Sequence, residues 1–396
     1  MSHRPCGMRS EHIPKSSATH SVSASRSCFS VTIVSLPGLF RRCPHSSKSL
    51  FFLTYNSVLA PFVDLGELCR TDFGELDVLE SKFILPSSWL GAWTAASPIG
   101  ITLGAAAAGW FQDRHGRRSS LLAGNVVAAM AVAVCFFSNR AHDTGGRRGV
   151  FLLGKITVGL GLGMIVCSTQ TYLSEVTPVA TRGFSLTLFP IFTLLGQLVG
   201  AAVVYALNSA DGDKSYTIAF ASQWPFSAAL LLVTLLVPES PTYLVRQGRR
   251  DAAHKAHERL HPASAAATAT EELIRTMEHE KASNGDQAGG LRESFVGSNR
   301  RRTWIVAFSY VVPQLFGITL LANASYFMQT VGMETGPSLM FLIVGIAIGM
   351  VANLLSIWTV AHFRRRTLLV VTLGITAVLW VSIGVAGCFE SNVAVW

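Results

Sequence analysis

Charged residues and glycines are concentrated in one short hinge between two apolar runs. Residues 109–118 read Gly-Trp-Phe-Gln-Asp-Arg-His-Gly-Arg-Arg. Gly116 suits a tight turn, and the lack of a side chain at Gly109 suits a close crossing of two helices. The charged members of the hinge are Asp113, Arg114, Arg117 and Arg118. Asp113 and the arginines can form ion pairs across helix ends, so the hinge predicts charged contacts between the ends of neighbouring helices.

Two further apolar runs end in a glutamate close to a proline. Residues 172–183 read Tyr-Leu-Ser-Glu-Val-Thr-Pro-Val-Ala-Thr-Arg-Gly, and residues 237–249 read Val-Pro-Glu-Ser-Pro-Thr-Tyr-Leu-Val-Arg-Gln-Gly-Arg. A carboxylate at a helix end, followed by an arginine, is suited to a salt-bridge cluster that locks helix ends together. The candidates for such a cluster are Glu175, Arg182 and Glu239.

The elements that position these residues are predicted to be membrane helices. Apolar residues make up 50% of the 396 residues and charged residues only 14%, which is too little charge for a soluble domain. Apolar runs long enough to span a bilayer lie at 89–111, 119–138, 150–173, 184–207, 216–237, 303–329, 338–361 and 367–388. A shorter run at 50–63 is predicted to be an atypical first span. The sequence therefore predicts an all-α polytopic membrane protein with about nine spans.

Polar segments divide the chain into four parts. Residues 1–49 are rich in Ser, His, Arg and Pro and are predicted to form a disordered tail, with a mitochondrial presequence as the alternative. An N-terminal bundle of spans 1 to 6 is expected at 50–237, followed by a polar, helix-forming cytoplasmic loop at 238–302. The spans at 303–396 are expected to form part of a second bundle.

The motifs carry a resemblance to a known family. The hinge at 109–118 resembles the loop between spans 2 and 3 of the major facilitator superfamily. The segments at 172–183 and 237–249 resemble its sugar porter family, and a glycine repeat at 154–163 continues that pattern. Together with Phe-Arg-Arg-Arg-Thr-Leu-Leu at 363–369, they look like the fungal α-glucoside (maltose) permeases. The resemblance implies a major facilitator fold with an incomplete second bundle, a C-terminal truncation, and sugar transport by alternating access.

The resemblance assigns the charged residues at the helix ends to a gate. This gate closes the cytoplasmic side in the outward-open state, and its role is conformational without contact with substrate. Its implied members are Asp113, Arg114, Arg117, Arg118, Glu175, Arg182 and Glu239.

Polar side chains inside spans are the candidates for sugar binding, because a polar group in a span is costly and tends to face a cavity or another helix. Gln197 matches the family's glutamine in span 5, and Gln314 matches the second glutamine of its Gln-Gln-x-x-Gly-x-Asn in span 7. Thr319 stands where that motif has asparagine, and Tyr326 is a candidate to stack on a sugar face. Helix packing is the alternative role for the two amides, and contact with lipid or the core is the alternative for Tyr326.

Proton coupling is also implied by the resemblance. Family symporters usually carry an acid in a Tyr-Asp pair of span 1, where this chain has Tyr55 and Asn56. Asparagine does not titrate, so Asp64 is the candidate replacement. Lys155 stands where the family usually has arginine, and it is the basic candidate for coupling.

Charge and cysteine usage argue against other classes of function. The net charge of +9 is spread over loops, which indicates membrane topology and no nucleic-acid partner. The positive-inside tendency places the N-terminus, the Arg114 loop and the 238–302 loop in the cytoplasm. Without the longest loop the two sides are nearly balanced, so the orientation rests on the resemblance.

We expect no enzyme activity, no metal and no cofactor, because no catalytic or ligand pattern is present and the seven cysteines include no C-x-x-C pair. The expected partners are a sugar, protons and the lipid bilayer, and the expected location is the plasma membrane. The alternative is a truncated membrane protein that does not transport, either the product of an inactive gene or a nutrient receptor. Long signalling tails typical of nutrient sensors are absent, which argues against the receptor.

Overall fold

The computed structural model describes residues 73, 75–77, 82–84, 86–177, 179–208, 215–260, 263–284, 295–315, 324–330 and 333–387. The predicted tail at 1–49, the predicted first span at 50–63, Asp64 and Thr319 lie outside the described residues.

Helices make up almost all of the described chain, which confirms the predicted all-α class. In the first half they are α1 (Ser87–His115), α2 (Arg117–Phe137), α3 (Thr144–Val176), α4 (Val179–Asn208), α5 (Ser215–Ala221) and α6 (Gln223–Leu236). Three polar helices follow, α7 (Pro241–Arg246), α8 (Arg250–Leu260) and α9 (Ala263–Asn284). The second half contains α10 (Gly297–Leu315), α11 (Ala324–Thr330), α12 (Thr335–His362) and α13 (Arg365–Gly387).

Six helical stretches among the described residues are long and apolar enough to cross a membrane. They are Arg117–Arg140, Thr144–Val176, Leu188–Leu207, Thr217–Leu236, Gly336–Val360 and Arg366–Val385, and each overlaps a predicted span. The predicted span at 89–111 lies within α1, a helix of 29 residues in which Ser, Thr and Gly interrupt the apolar residues. The predicted span at 303–329 is shared between α10 and α11.

A short antiparallel hairpin precedes α1. Strand β1 (Glu75–Asp77) pairs with β2 (Lys82–Ile84), and Leu76 lies opposite Phe83. These are the only strands in the described part of the chain, and the sequence analysis did not predict them.

Glycines let α1 and α3 pack backbone against backbone. Gly100 and Gly104 of α1 lie against Gly159 and Gly163 of α3. A Cβ atom at Gly104 would overlap the carbonyl oxygen of Leu160. Such close approach of small residues is a main source of helix association in a bilayer, where burial of apolar surface gives little driving force. The glycine repeat of α3 therefore fixes α1 against it.

Aromatic residues pack between the N-terminal parts of α1 and α3. The rings of Trp93 and Phe151 have centroids 4.7 Å apart, and Phe73 packs edge-on to Trp93 at 5.7 Å. The buried Arg148 donates from Nε to the carbonyl oxygen of Phe73 at 2.9 Å. This cluster anchors Phe73 to α1 and α3.

The second half contacts the first through α4 and α12. Leu194 of α4 approaches Gly349 of α12, where an added Cβ would lie 3.9 Å from its Cδ1 atom. In α11, Ser325 shares a hydrogen bond of 2.8 Å with Ser338 of α12. Large apolar side chains along α13 are exposed, as expected of a helix that a bilayer surrounds.

Candidate functional site

The turn between α1 and α2 depends on one glycine. Gly116 has φ +96°, a backbone conformation that residues other than glycine adopt only at a cost in free energy. A Cβ at this position would also lie 2.5 Å from Oε2 of Glu239 and 3.1 Å from Tyr243. The tight turn is therefore as predicted. The close crossing expected at Gly109 is wrong for the described residues, since no atom beyond the adjoining backbone of α1 lies within 4 Å of a Cβ built there.

Arg117 is the buried centre of the site, with only 3% of the residue exposed. Its guanidinium lies against the Glu175 carboxylate, with Nη2 at 2.9 Å and Nε at 3.1 Å from Oε1. Nη1 donates to the carbonyl oxygen of Gln112 at 3.1 Å. Asp113, whose side chain is 70% exposed, lies farther away at 3.6 Å. Because breaking a buried charge pair leaves one charge uncompensated, the Glu175 pair is the contact that matters most.

Glu239 binds the start of α2 through main-chain groups. Its Oε1 atom accepts hydrogen bonds from the backbone N–H groups of Arg117 at 2.8 Å, Arg118 at 3.1 Å and Ser240 at 3.0 Å. The first N–H groups of a helix have no partner within the helix and carry partial positive charge. A carboxylate from 121–122 residues further along the chain therefore caps α2.

Arg118 caps the C-terminal end of α6, where the free groups are carbonyl oxygens. Its Nη2 donates to the carbonyl oxygen of Leu235 at 2.6 Å and its Nε to that of Thr234 at 3.3 Å. The last carbonyl groups of a helix carry partial negative charge, so a cation at this end is favourable. The α2 start and the α6 end thus cap one another through one base and one acid.

Hydroxyl groups complete the cluster, and the sequence analysis missed them. Ser240 Oγ donates to Oε2 of Glu175 at 2.5 Å, and Tyr172 Oη donates to the carbonyl oxygen of Pro238 at 3.1 Å. Ser240 precedes the proline that begins α7. A serine before a proline indicates a helix start in the sequence, but it does not indicate which residue the serine hydroxyl binds. The segment before α7 is therefore bound to α3 as well as to α2.

Among the predicted gate residues whose side chains are described, Arg114 places no charge in the cluster. The guanidinium of Arg114 is exposed and lies 5.9 Å from the ring of Trp110. Its backbone carbonyl accepts a hydrogen bond of 3.0 Å from Tyr243 Oη, so it contributes through the main chain. Arg182 lies near the start of α4, and its side chain is outside the description.

The described residues include only part of the predicted sugar site. Gln197 is half-buried on α4, one turn after Leu194, and forms no hydrogen bond with the described residues. Gln314 lies in α10 and Tyr326 in α11, but their side chains are outside the description. The structure therefore shows only that Gln197 lies near the face of α4 that approaches α12.

Lys155 is a buried cation within a membrane helix. It lies in α3 with 8% of the residue exposed, and its Nζ is 6.0 Å from the ring centroid of Phe151. It therefore belongs to the aromatic end of α3, away from the cluster around Arg117. In the described ranges, no group of three or more His, Cys, Asp or Glu residues is arranged to hold a metal.

Comparison with protein families gives a match over most of the chain. Residues 40–395 match the family described as sugar (and other) transporter. The chain is 27% identical over 341 residues to the alpha-glucosides permease MPH3 of Saccharomyces cerevisiae, covering 81% of this chain and 55% of the permease. It is also 27% identical over 264 residues to the MFS transporter fmqE of Aspergillus fumigatus, covering 66% of this chain and 48% of that protein. The chain thus spans about half the length of the curated relatives it matches.

Solved structures show the same fold. A structure of the proton:xylose symporter XylE bound to 6-bromo-6-deoxy-D-glucose aligns with a TM-score of 0.68 at 23% identity, covering 81% of this chain and 69% of XylE. An inward open structure of XylE from E. coli aligns with a TM-score of 0.57 at 21% identity, covering 83% and 70%. Both have the major facilitator fold, which the sequence analysis predicted.

Proposed function

The chain belongs to the sugar (and other) transporter family of the major facilitator superfamily, and from this membership we propose that it carries a sugar across the membrane by alternating access. It is an integral multi-pass membrane protein of a transporter family and not an enzyme. The family match and the similarity to characterised permeases favour a carrier over a protein that does not transport.

The observation that carries the proposal is the cluster around Arg117. It joins the ends of α2, α3 and α6 to α7 on one side of the membrane through a buried ion pair and reciprocal helix caps. Such contacts are strong while the helix ends are together and are lost when they separate. We therefore assign the cluster the gate role that the family resemblance implies, with Glu175 and Glu239 as its acids.

For the substrate, we propose an α-glucoside or a hexose. Support comes from the relatives, which include alpha-glucosides and maltose permeases, and from the half-buried Gln197 beside the approach of α4 to α12. In this proposal Gln197, Gln314 and Thr319 form hydrogen bonds with sugar hydroxyls, and Tyr326 stacks on the ring. Each of these roles remains a prediction.

We further propose that transport is coupled to protons. Lys155 supplies a buried positive charge in α3, and such a group stabilises the ionised form of a nearby acid. Asp64 is the acid we assign to it. The plasma membrane, with the N-terminus in the cytoplasm, is the location proposed for the carrier.

Uptake by yeast cells that lack their own sugar carriers tests the proposal. The chain is expressed with a fluorescent tag that reports its arrival at the plasma membrane, and labelled maltose and glucose are supplied separately at pH 5 and pH 7. Accumulation above that of cells with an empty vector is expected for at least one sugar, and faster uptake at pH 5 is expected if protons drive it. A protein that reaches the plasma membrane and transports neither sugar would contradict the proposal.

A matched pair of variants links uptake to the cluster. Glu239→Gln removes the carboxylate that caps α2, whereas Glu278→Gln removes an exposed carboxylate of α9. We expect the first variant to change uptake several-fold and the second to leave it unchanged. Equal uptake in both variants would separate the cluster from transport.

A further inference from the structure

An exposed triad of arginines lies at the start of α10. Arg300, Arg301 and Arg302 are all exposed, and among the described residues none of them forms an ion pair or a hydrogen bond. Arg117 is the contrast, because it is buried and its charge is compensated by Glu175. The triad therefore presents three positive charges that no described carboxylate compensates.

Large apolar side chains flank the triad on both sides along the chain. Phe295 is 56% exposed before the triad, and Trp304 and Phe308 are each 65% exposed after it. Tryptophan is enriched at the boundary between membrane and water, where one part of its ring is dry and another is wet. The charges of the triad thus lie where an apolar helix surface begins.

The triad follows a segment that is bound to the hinge side of the membrane. Tyr243 of α7 donates a hydrogen bond to the carbonyl oxygen of Arg114 in the hinge. Between α7 and α10 the described chain forms only the polar helices α8 and α9, and neither is among the membrane-spanning stretches. In the orientation proposed above this side is cytoplasmic, which is where a cell membrane carries its anionic lipids.

We propose that Arg300, Arg301, Arg302 and Trp304 form a binding surface around the start of α10 for the headgroups of anionic phospholipids, since successive side chains of a helix point in different directions. A guanidinium presents a planar set of donors that matches phosphate and carboxylate oxygens, and the neighbouring apolar side chains contact the acyl chains. A phospholipid satisfies both parts of the surface, whereas a free phosphate satisfies only the first. The inference needs the membrane-spanning fold and the orientation, but it does not need sugar transport.

Lipid binding to the purified chain tests the inference. The full chain in detergent is titrated with phosphatidylserine or with phosphatidylcholine of the same acyl chains, and bound lipid is counted by native mass spectrometry. We expect phosphatidylserine to bind more tightly, and the variant R300Q/R301Q/R302Q to bind it on the order of 100-fold more weakly. Binding of phosphatidylcholine should be the same in both proteins.

Two further variants separate charge from position. The variant K255Q/R259Q/R275Q removes three exposed positive charges from α8 and α9 and is expected to bind phosphatidylserine as the unmodified chain does. The variant R300K/R301K/R302K keeps the charge and is expected to retain most of the binding. If the glutamine variant does not purify, the unmodified chain still tests the inference through the salt dependence of lipid binding. Raising the salt concentration should release phosphatidylserine and leave phosphatidylcholine bound.

Three results would overturn the inference. One is equal binding of the two lipids by the unmodified chain. Another is an equal loss of phosphatidylserine in the triad variant and the α8–α9 variant. The third is displacement of the lipid by millimolar inorganic phosphate, which would identify a site for a free anion.

Discussion

Replacing Glu239 with glutamine removes one charge and almost no volume. The glutamine oxygen can still accept hydrogen bonds, so the comparison isolates the charge of the carboxylate. In the native chain this carboxylate accepts three hydrogen bonds from backbone N–H groups, those of Arg117, Arg118 and Ser240. We expect the start of α2 and the start of α7 to open more often in Glu239→Gln.

The expected size follows from the three contacts. A hydrogen bond to a charged group contributes about 1.5–3 kcal/mol, against about 0.5–1.5 kcal/mol for a neutral one. The upper limit for three bonds is therefore about 3–5 kcal/mol, but contacts that share one oxygen atom do not add fully. A charge at a partly buried helix terminus contributes up to about 2 kcal/mol, and we adopt that figure. It corresponds to roughly a 30-fold change in the opening equilibrium.

Hydrogen exchange measures this opening directly, because local opening limits the exchange of protected amides. Peptides that cover residues 116–121 and 240–246 are followed by mass spectrometry in the unmodified chain, in Glu239→Gln and in Glu278→Gln. Exchange should be roughly 30-fold faster in both peptides of the first variant, by the same conversion. It should be unchanged in the second, which alters an exposed pair with Arg250. Unchanged exchange in Glu239→Gln would refute the assignment of a capping role to this carboxylate.

Five other substitutions test the packing and the proposed site. Gly116→Ala should destabilise the protein by about 1–3 kcal/mol, because it forces a side chain into positive φ beside a carboxylate. Gly104→Ala should lower the melting temperature, because the added methyl group overlaps α3 at a cost of about 1–3 kcal/mol. The control Gly109→Ala lies in an open part of the same helix and should leave the melting temperature unchanged or slightly raised. Arg117→Lys should lose the paired contacts to its buried carboxylate and cost about 2–3 kcal/mol in thermal unfolding, and unaltered stability would contradict the central role of the guanidinium. Gln197→Ala should weaken sugar binding by about 1–3 kcal/mol in equilibrium dialysis, and unchanged affinity would assign the amide to packing.

The helices were predictable because hydropathy reports what must face lipid. The runs at 119–138 and 150–173 became α2 and α3 with ends shifted by a few residues. Hydropathy does not report helix ends within a run, and the single span predicted at 303–329 is described only where α10 and α11 cover it.

The charged residues of the cluster were predictable, but most of their partners were not. The pairing of Arg117 with Glu175 follows from opposite charges at neighbouring helix ends. Glu239, however, binds N–H groups, and Arg118 binds carbonyl groups. Every residue carries these main-chain groups, so no residue type in the sequence marks them as partners. Only the helix termini, where such groups lack partners, indicate where to look.

The long separation of the cluster's members along the chain has a consequence for how the protein is made. Glu175 follows Arg117 by 58 residues and Glu239 follows it by 122. During synthesis Arg117 is therefore made before either acid of the cluster. Completion of the cluster therefore requires that α2, α3 and α6 have all been synthesised. A nascent chain stalled before Glu239 should leave this arginine accessible to an added protease, and one stalled after α7 should protect it.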